Sequence, residues 1–357
     1  MQSQVPISGL TKDQAQRLLA PVGPVSILEV SRAATSNDVF RVATEAHGTY
    51  YVKFHTARWY ADQSDTFFVV ERECAVCDFL RRRNMPLPFR AWGDFTRAIV
   101  PRSVFISEEL PGIPVPDALV RFPEQRQNIL RAFGRYMRQL HEMEFSIPGL
   151  FSYAHAYFGD TRPVPPVFTW DEGALHHPAH LQRDALQMLE KKSTMLPAAV
   201  VPRLTDMFRS LADAVRADYS PPRFTVGNCH AWHFHVDKAN GAWAIQGFYD
   251  FEAVSAGDPN IDLVELEITL TPALQARSWR QPFFEGYGAW PSFDGHRRRL
   301  LYYLLCELGK PRSKVIPDTP WLYSQWPMLV EASNWPHLAW YPEREAGAAQ
   351  PGAGTLR

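Results

Sequence analysis

The segment from Phe224 to Leu263 gathers the residue types that do chemistry: Asn228, three histidines at 230, 233 and 235, Asp250 with Glu252, and Asp258 with Asp262. Asp250 closes the apolar run AWAIQGFYD, and a lone carboxylate at the mouth of a strand suits a metal ligand. The histidines invite a zinc reading, since residues 233 and 235 of one strand would share a face. Against zinc, no fourth ligand stands at a familiar spacing. Asp258 before Pro259 predicts a helix start, with the aspartate as N-cap and proline in the first turn, so Asp258 and Asp262 read as braces. Glu252 reads as an exposed loop carboxylate able to meet a cationic substrate. Cys74 and Cys77 form C-x-x-C on a helical apolar stripe without a second pair, which predicts a core role.

The elements that must position these residues show in the apolar periods. VSILEV, VFRVAT and TYYVKFH read as short strands, the last two joined by a hairpin at Glu45–Gly48. Residues 66–83 turn helical, with Val70, Cys74, Cys77 and Leu80 recurring at three and four. Ile99–Leu110 reads as a further strand broken at Pro111-Gly112, where we place a lobe boundary. Beyond it the chain reads mainly helical: Leu130, Phe133, Met137 and Leu140 form one stripe, with Pro123 near its start. Residues 146–176, rich in Pro, Gly and aromatics, read as an irregular substrate-facing segment, followed by helices at 179–193 and 200–217. Phe224–Leu263 then reads loop, strand, turn, strand, loop, helix. The expected organisation is an N-terminal lobe at 1–110, a second lobe at 111–342 and a disordered tail at 343–357.

Composition narrows the partners. A chain of 357 residues exceeds what one core usually supports, and 46% hydrophobic content is that of a folded protein. Lys and Arg number 37 against 38 Asp and Glu, so no global field draws the chain to nucleic acid or anionic lipid, and neither partner is expected. No run approaches the ~18 apolar residues of a membrane span. MQSQVPISGL is unlike a signal peptide, and four cysteines are too few for a disulfide framework, so the expected address is cytoplasmic.

Taken in order, these pieces resemble the aminoglycoside phosphotransferase and choline kinase-like family of small-molecule kinases, over nearly the whole chain apart from the tail. That family runs H-G-D-x-x-x-x-N, then an apolar strand closed by D-F or D-x-E, then G-D-P-x-x-D-L. The counterparts are Val226-Gly227-Asn228, His233, Asp250-Phe251-Glu252, Gly257-Asp258-Pro259 and Asp262-Leu263. Ser36 to Val42 resembles the nucleotide-covering strand and turn, without the usual glycines between Ser31 and Thr35. Lys53 falls where such kinases place the lysine that holds ATP phosphates, and Glu73 matches the helix glutamate that aims it. Ser107, Glu108, Glu109 and Leu110 resemble the hinge that meets the adenine ring, and Leu140-His141 resembles the end of the helix supporting the catalytic loop.

The resemblance implies an α+β, protein-kinase-like fold of two lobes, a small antiparallel β-rich one with one key helix and a larger, mainly helical one. It implies ATP or GTP between the lobes, contacted by Asn37, Lys53, Glu73 and Ser107 to Leu110. Asp250 and His233 would hold Mg2+ or Mn2+, and Asn228, His233 and Asp250 form the implied catalytic set. The reaction would be phosphoryl transfer to a hydroxyl of a small polar molecule, by a monomer or homodimer.

Two residue types depart from the family's pattern. Asn228 stands where an aspartate usually accepts or orients the hydroxyl proton, and losing a general base typically costs about 10² to 10⁴ in rate. The alternative to a kinase is therefore a nucleotide- or ligand-binding pseudokinase. His233 stands where an asparagine usually holds the metal, and three readings stay open: a ligand favouring manganese, a substitute base, or a structural group. Nothing in the sequence selects among an aminoglycoside, choline, a sugar, a nucleoside or an amino alcohol as acceptor.

Overall fold

The computed structural model describes residues 9–34, 37–55, 67–88, 90–145, 149–152, 167–169, 221–274 and 278–289, with scattered positions between 186 and 209. It opens with a short helix, α1 (Lys12–Leu18), whose capping box ties Thr11 to Gln14. Strands β1 (Ile27–Ala34), β2 (Asp38–Thr44) and β3 (Thr49–Phe54) follow, then helix α2 (Phe67–Arg81), β4 (Ala91–Asp94) and β5 (Val104–Glu108). The five strands form one antiparallel sheet in the order β1-β2-β3-β5-β4.

Alternation along β3 explains why this sheet can present a lysine. Tyr50, Val52 and Phe54 are fully buried, in a core that also takes Phe40, Val42, Val104, Ile106 and the apolar side of α1. Tyr51 and Lys53 therefore stand on the opposite face, because successive strand side chains point to opposite sides.

The second core lies below. Strand β6 (Ile113–Pro114) leads into α3 (Val115–Arg121) and α4 (Arg126–His141), followed by β7 (Gly149–Ser152), β8 (Val167–Thr169), β9 (Arg223–Thr225), β10 (Phe234–Ala239), β11 (Ala242–Phe248) and β12 (Ser255–Gly257). Helices α5 (Asn260–Leu274) and α6 (Arg280–Tyr287) complete the described chain. This core joins Val76 and Leu80 of α2, Phe133 and Leu140 of α4, Phe234 and Phe248 of the β10–β11 hairpin, Leu266 of α5 and Phe283 of α6. Helices α4 and α6 cross on paired glycines: a Cβ at Gly134 would lie 2.0 Å from the Phe283 carbonyl, and one at Gly286 would lie 2.1 Å from that of Arg131. Only glycine permits backbones that close.

Several expectations change at this level. The strand expected over Ile99–Leu110 is confined to Val104–Glu108; Pro101 lacks an amide hydrogen for a sheet ladder, and residues 98–102 bend instead. Residues 146–176 are not devoid of regular structure, because β7 and β8 pair with each other and β7 with β12, where Phe151 packs on Phe79 and Phe224. Phe224 and Thr225, read as loop, lie in β9, which pairs with β12. His233 sits in a 3₁₀ turn, Ala231–His233, rather than on the strand with His235. Pro123 opens a short 3₁₀ turn, and α4 itself begins at Arg126. The helices expected at 179–193 and 200–217 and the tail at 343–357 lie wholly or largely outside the described residues.

Candidate active site

Lys53 is where the two cores meet. Its Nζ lies 3.0 Å from Glu73 Oε1 on α2 and 3.2 Å from Glu252 Oε2, and it makes a close ion pair with Asp250 Oδ1. The lysine side chain is only 12% exposed. Burial alone would lower its pKa, but Asp250, Glu73 and Glu252 outweigh burial and raise it well above the usual value. His55, two residues further along the chain and fully buried, donates from Nε2 to Glu73 Oε2 at 2.6 Å, with Nδ1 2.9 Å from Glu252 Oε2. Its pKa is raised, because the two carboxylates outweigh burial and the nearby Lys53.

Glu252 is not the exposed loop carboxylate expected from sequence. Its side chain is 15% exposed, accepts from Asn37 Nδ2 at 3.2 Å, and its main-chain carbonyl accepts from Arg72 Nη1 at 2.8 Å. Burial would raise its pKa; Lys53 and His55 prevail and hold it far below the usual carboxylate range.

Opposite this cluster lies the loop from Val226 to His233. Asn228 Nδ2 donates to Asp250 Oδ2 at 2.7 Å, which leaves the Asn228 side-chain oxygen as an acceptor. His233 Nδ1 meets the Asn228 main-chain oxygen at 3.1 Å, so Nδ1 carries the hydrogen and Nε2 keeps its lone pair. That Nε2 lies 3.8 Å from Asp250 Oδ2. Burial lowers the His233 pKa in spite of Asp250, which keeps the ring neutral and able to bind a cation. Asp250 itself adopts φ 73 and ψ 59, a left-handed conformation uncommon for a residue with a side chain; the turn Phe251–Ala253 follows it directly.

The donor set fits one divalent ion at Asp250 and His233. Two ligands each about 2.1 Å from a common ion can stand 3.8 Å apart. Among the described residues no group of three or more His, Cys, Asp or Glu could hold a metal by itself, so the remaining positions would fall to phosphate and water oxygens. The zinc reading of the histidines gains no support from this arrangement. Cys77 and Cys229 are buried free thiols and Cys74 is half-buried; burial pushes all three pKa values up, as core cysteines require.

The loop is braced from behind. Asp262, on the first turn of α5, accepts the amide hydrogens of Val226 at 2.7 Å and Gly227 at 2.9 Å and pairs with His141 Nε2 at 3.1 Å. Glu265, one turn on, accepts the Cys229 amide hydrogen. Burial, with Asp262 close by, pushes the Glu265 pKa up to about 8 against that hydrogen bond. Gly227 needs its freedom here: it has φ +71, and a Cβ would lie 2.3 Å from the Ala253 carbonyl oxygen.

Thus Asn37, Lys53, Glu73, Asn228, His233 and Asp250 converge. Ser107 to Leu110 stand apart from this convergence, at the end of β5 beside β3: Tyr51 bridges to Glu109 through its hydroxyl at 3.0 Å, and His235 Nδ1 lies 3.3 Å from the Leu110 carbonyl. The Glu108 and Glu109 amide hydrogens are already donated, to Arg90 at 2.8 Å and Thr49 at 2.9 Å. Sequence reasoning missed His55, Arg72 and Glu265. The period of two along β3 could have flagged His55, since residues 51, 53 and 55 alternate together.

A model of the phosphotransferase enzyme family matches residues 28–301. No curated protein matches significantly. Among solved structures, the apo form of a thermostable mutant of aminoglycoside phosphotransferase APH(4)-Ia superposes with a TM-score of 0.56 at 12% identity, over 90% of this chain and 97% of that one. The GDP complex of wild-type aminoglycoside 2'-phosphotransferase-IIIa gives 0.55 at 16% identity, over 92% and 99%. The same APH(4)-Ia mutant background in ternary complex with AMP-PNP and hygromycin B gives 0.56 at 12%, over 91% and 98%. The fold is accordingly α+β and protein-kinase-like. By sequence and by fold, the chain belongs to the phosphotransferase enzyme family.

Proposed function

We propose that the chain transfers a phosphoryl group from ATP or GTP to a hydroxyl of a small polar molecule, with the nucleotide held between lobes 1–110 and 111–342. The observation that carries this reading is the convergence of Lys53, Glu73 and Asp250, from a strand, a helix and a distant loop, on one ammonium group. A lysine so aimed meets phosphate oxygens as a point charge. A divalent ion, when bound at Asp250 and His233, would neutralise charge on the phosphates. The complexes of fold relatives with AMP-PNP and with GDP support a nucleotide in this place.

Asn228 holds Asp250 through its amide and offers its oxygen to the acceptor hydroxyl. It orients that hydroxyl without taking its proton. Phosphoryl transfer tolerates this better than most reactions, because positioning and charge neutralisation supply most of its acceleration. His233 is a poor substitute base: Nδ1 is committed to the Asn228 carbonyl, and Nε2 faces Asp250. Its geometry favours the ligand role, and an imidazole ligand favours Mn2+ over Mg2+.

The neutral amide at 228 also favours a second reading, a nucleotide-binding pseudokinase. Turnover separates the two. Phosphate transfer from ATP and GTP to a panel of aminoglycosides, choline, sugars, nucleosides and amino alcohols, with Mg2+ and Mn2+, is expected to show slow transfer to one class. Nucleotide binding with no transfer by the chain or by Asn228→Asp would favour the pseudokinase.

A further inference from the structure

Glu252 is the carboxylate on which the nucleotide-facing side of the upper sheet closes. Three groups converge on its Oε2: Asn37 Nδ2 and Lys53 Nζ, each at 3.2 Å, and His55 Nδ1 at 2.9 Å. Arg72 of α2 fixes its main-chain carbonyl at 2.8 Å. Asn37 precedes β2 and Lys53 and His55 follow one another on or just beyond β3, so two separate segments grip one oxygen that belongs to a loop some 200 residues away.

Lys53 is the group assigned above to the phosphates of a nucleotide, and Asn37 belongs to the turn that the resemblance lays over that nucleotide. A phosphate oxygen and a carboxylate oxygen are both anionic acceptors that take the same charge-assisted hydrogen bonds at similar lengths. We propose that Glu252 is a built-in stand-in for a nucleotide phosphate: in the free chain its carboxylate occupies the phosphate donors, and a polyphosphate gains them only as Glu252 leaves. This rests on reading the cleft as a nucleotide site.

The charge pattern makes the exchange depend on a cation. Around Lys53 stand three carboxylates, Glu73, Asp250 and Glu252, with His55 and His233 as further titratable groups and the buried Arg72 guanidinium on the Glu252 main-chain carbonyl. A bare polyphosphate meets three carboxylates that already claim the lysine, and like charges at such range repel strongly at low dielectric. A divalent cation held by Asp250 and His233 would offset part of this negative charge and compete with Lys53 for Asp250. Metal and nucleotide binding are then coupled reciprocally, more tightly than shared coordination alone requires.

The test uses the full chain and two variants. Glu252→Gln keeps the shape and a carbonyl acceptor while removing the charge; Glu252→Ala removes both. Calorimetric affinity for ATP is measured with EDTA and with Mn2+, and thermal unfolding reports whether each variant is folded; the isosteric Gln variant carries the test if the Ala variant is not. The expected result is metal-free affinity tighter by about tenfold, the gain if only about a tenth of the free chain has its donors open. The ratio of affinities with and without Mn2+ should fall by the same factor. Wild-type binding with metal-free affinity unchanged or weaker in both variants would overturn the stand-in and leave the nucleotide reading intact. Absence of binding by wild type and variants under every condition would overturn both.

Discussion

The back and the front of the loop Val226–His233 are built to different standards of charge. Behind it, Asp262 and Glu265 hold three backbone amides with carboxylates, and His141 ties Asp262 to the end of α4. In front, the two positions that face the cleft carry an amide and a neutral imidazole, where the resembled family carries an acid and an amide. On the proposed reading, the braces of a phosphotransferase loop stand while the residues at its reactive face differ. Loop geometry and proton chemistry are therefore separable here, because the residues that brace the loop are not those that face Asp250.

The largest expected effect tests that separation at the front. Asn228→Asp should raise turnover by about 10² to 10⁴ with a divalent ion present, since it restores a group able to accept a proton on an unchanged backbone. It should do little or harm without metal, because the new carboxylate would face Asp250 across the present 2.7 Å contact. Steady-state transfer assays with and without Mn2+ read both arms.

At the back, Asp262→Ala strands two buried amide hydrogens and the His141 ring. Leaving a buried donor unsatisfied typically costs about 1 to 3 kcal/mol, so urea unfolding should show a loss of at least that order, with Asp262→Asn losing less. Between front and back, Gly227→Ala combines a left-handed φ with a collision at the Ala253 carbonyl. It should cost about 1 to 3 kcal/mol in the same assay.

The last effect is a slope with pH. Glu265 has its pKa raised to about 8 from an ordinary 4.5, so the folded chain holds a proton that the unfolded chain has lost. Its contribution to stability is complete below about pH 4.5 and fades as pH rises through 8, by no more than about 1.4 kcal/mol per pH unit. Glu265→Gln should flatten that fall. Parallel stability curves for the two proteins from pH 5 to pH 9 would remove Glu265 from the account of the loop's back.

What the sequence discloses about this site follows the range of each interaction. The strand under Lys53 is legible because TYYVKF alternates, while the lysine's role is legible only through the family resemblance; α2 is legible because Val70, Cys77 and Leu80 recur on one side. The Asp258 brace is legible because it is local: its Oδ1 accepts the Asn260 amide hydrogen two residues on. Glu252 is opaque for the converse reason. Nothing within D-F-E says that the glutamate turns towards Asn37, Lys53 and His55, contacts that only the tertiary fold creates. Strand β4 hides in the four residues AWGD, too short for a period, and β7 hides among the prolines and glycines around it. Helix α1 was readable: Thr11 and Gln14 spell its capping box, although KDQAQRL carries too few apolar residues to draw notice.

The account stands on one claim, that Lys53 with Glu73 and Asp250 forms the phosphate grip of a nucleotide site. Calorimetric titration of ATP and GTP into the chain and into Lys53→Ala, each with Mn2+, tests it most directly. The account predicts saturable binding of at least one nucleotide to the unaltered chain and a loss of about tenfold or more in the variant, about 1.4 kcal/mol for one charge-assisted contact. Equal affinity in the two proteins would place the nucleotide elsewhere and contradict it.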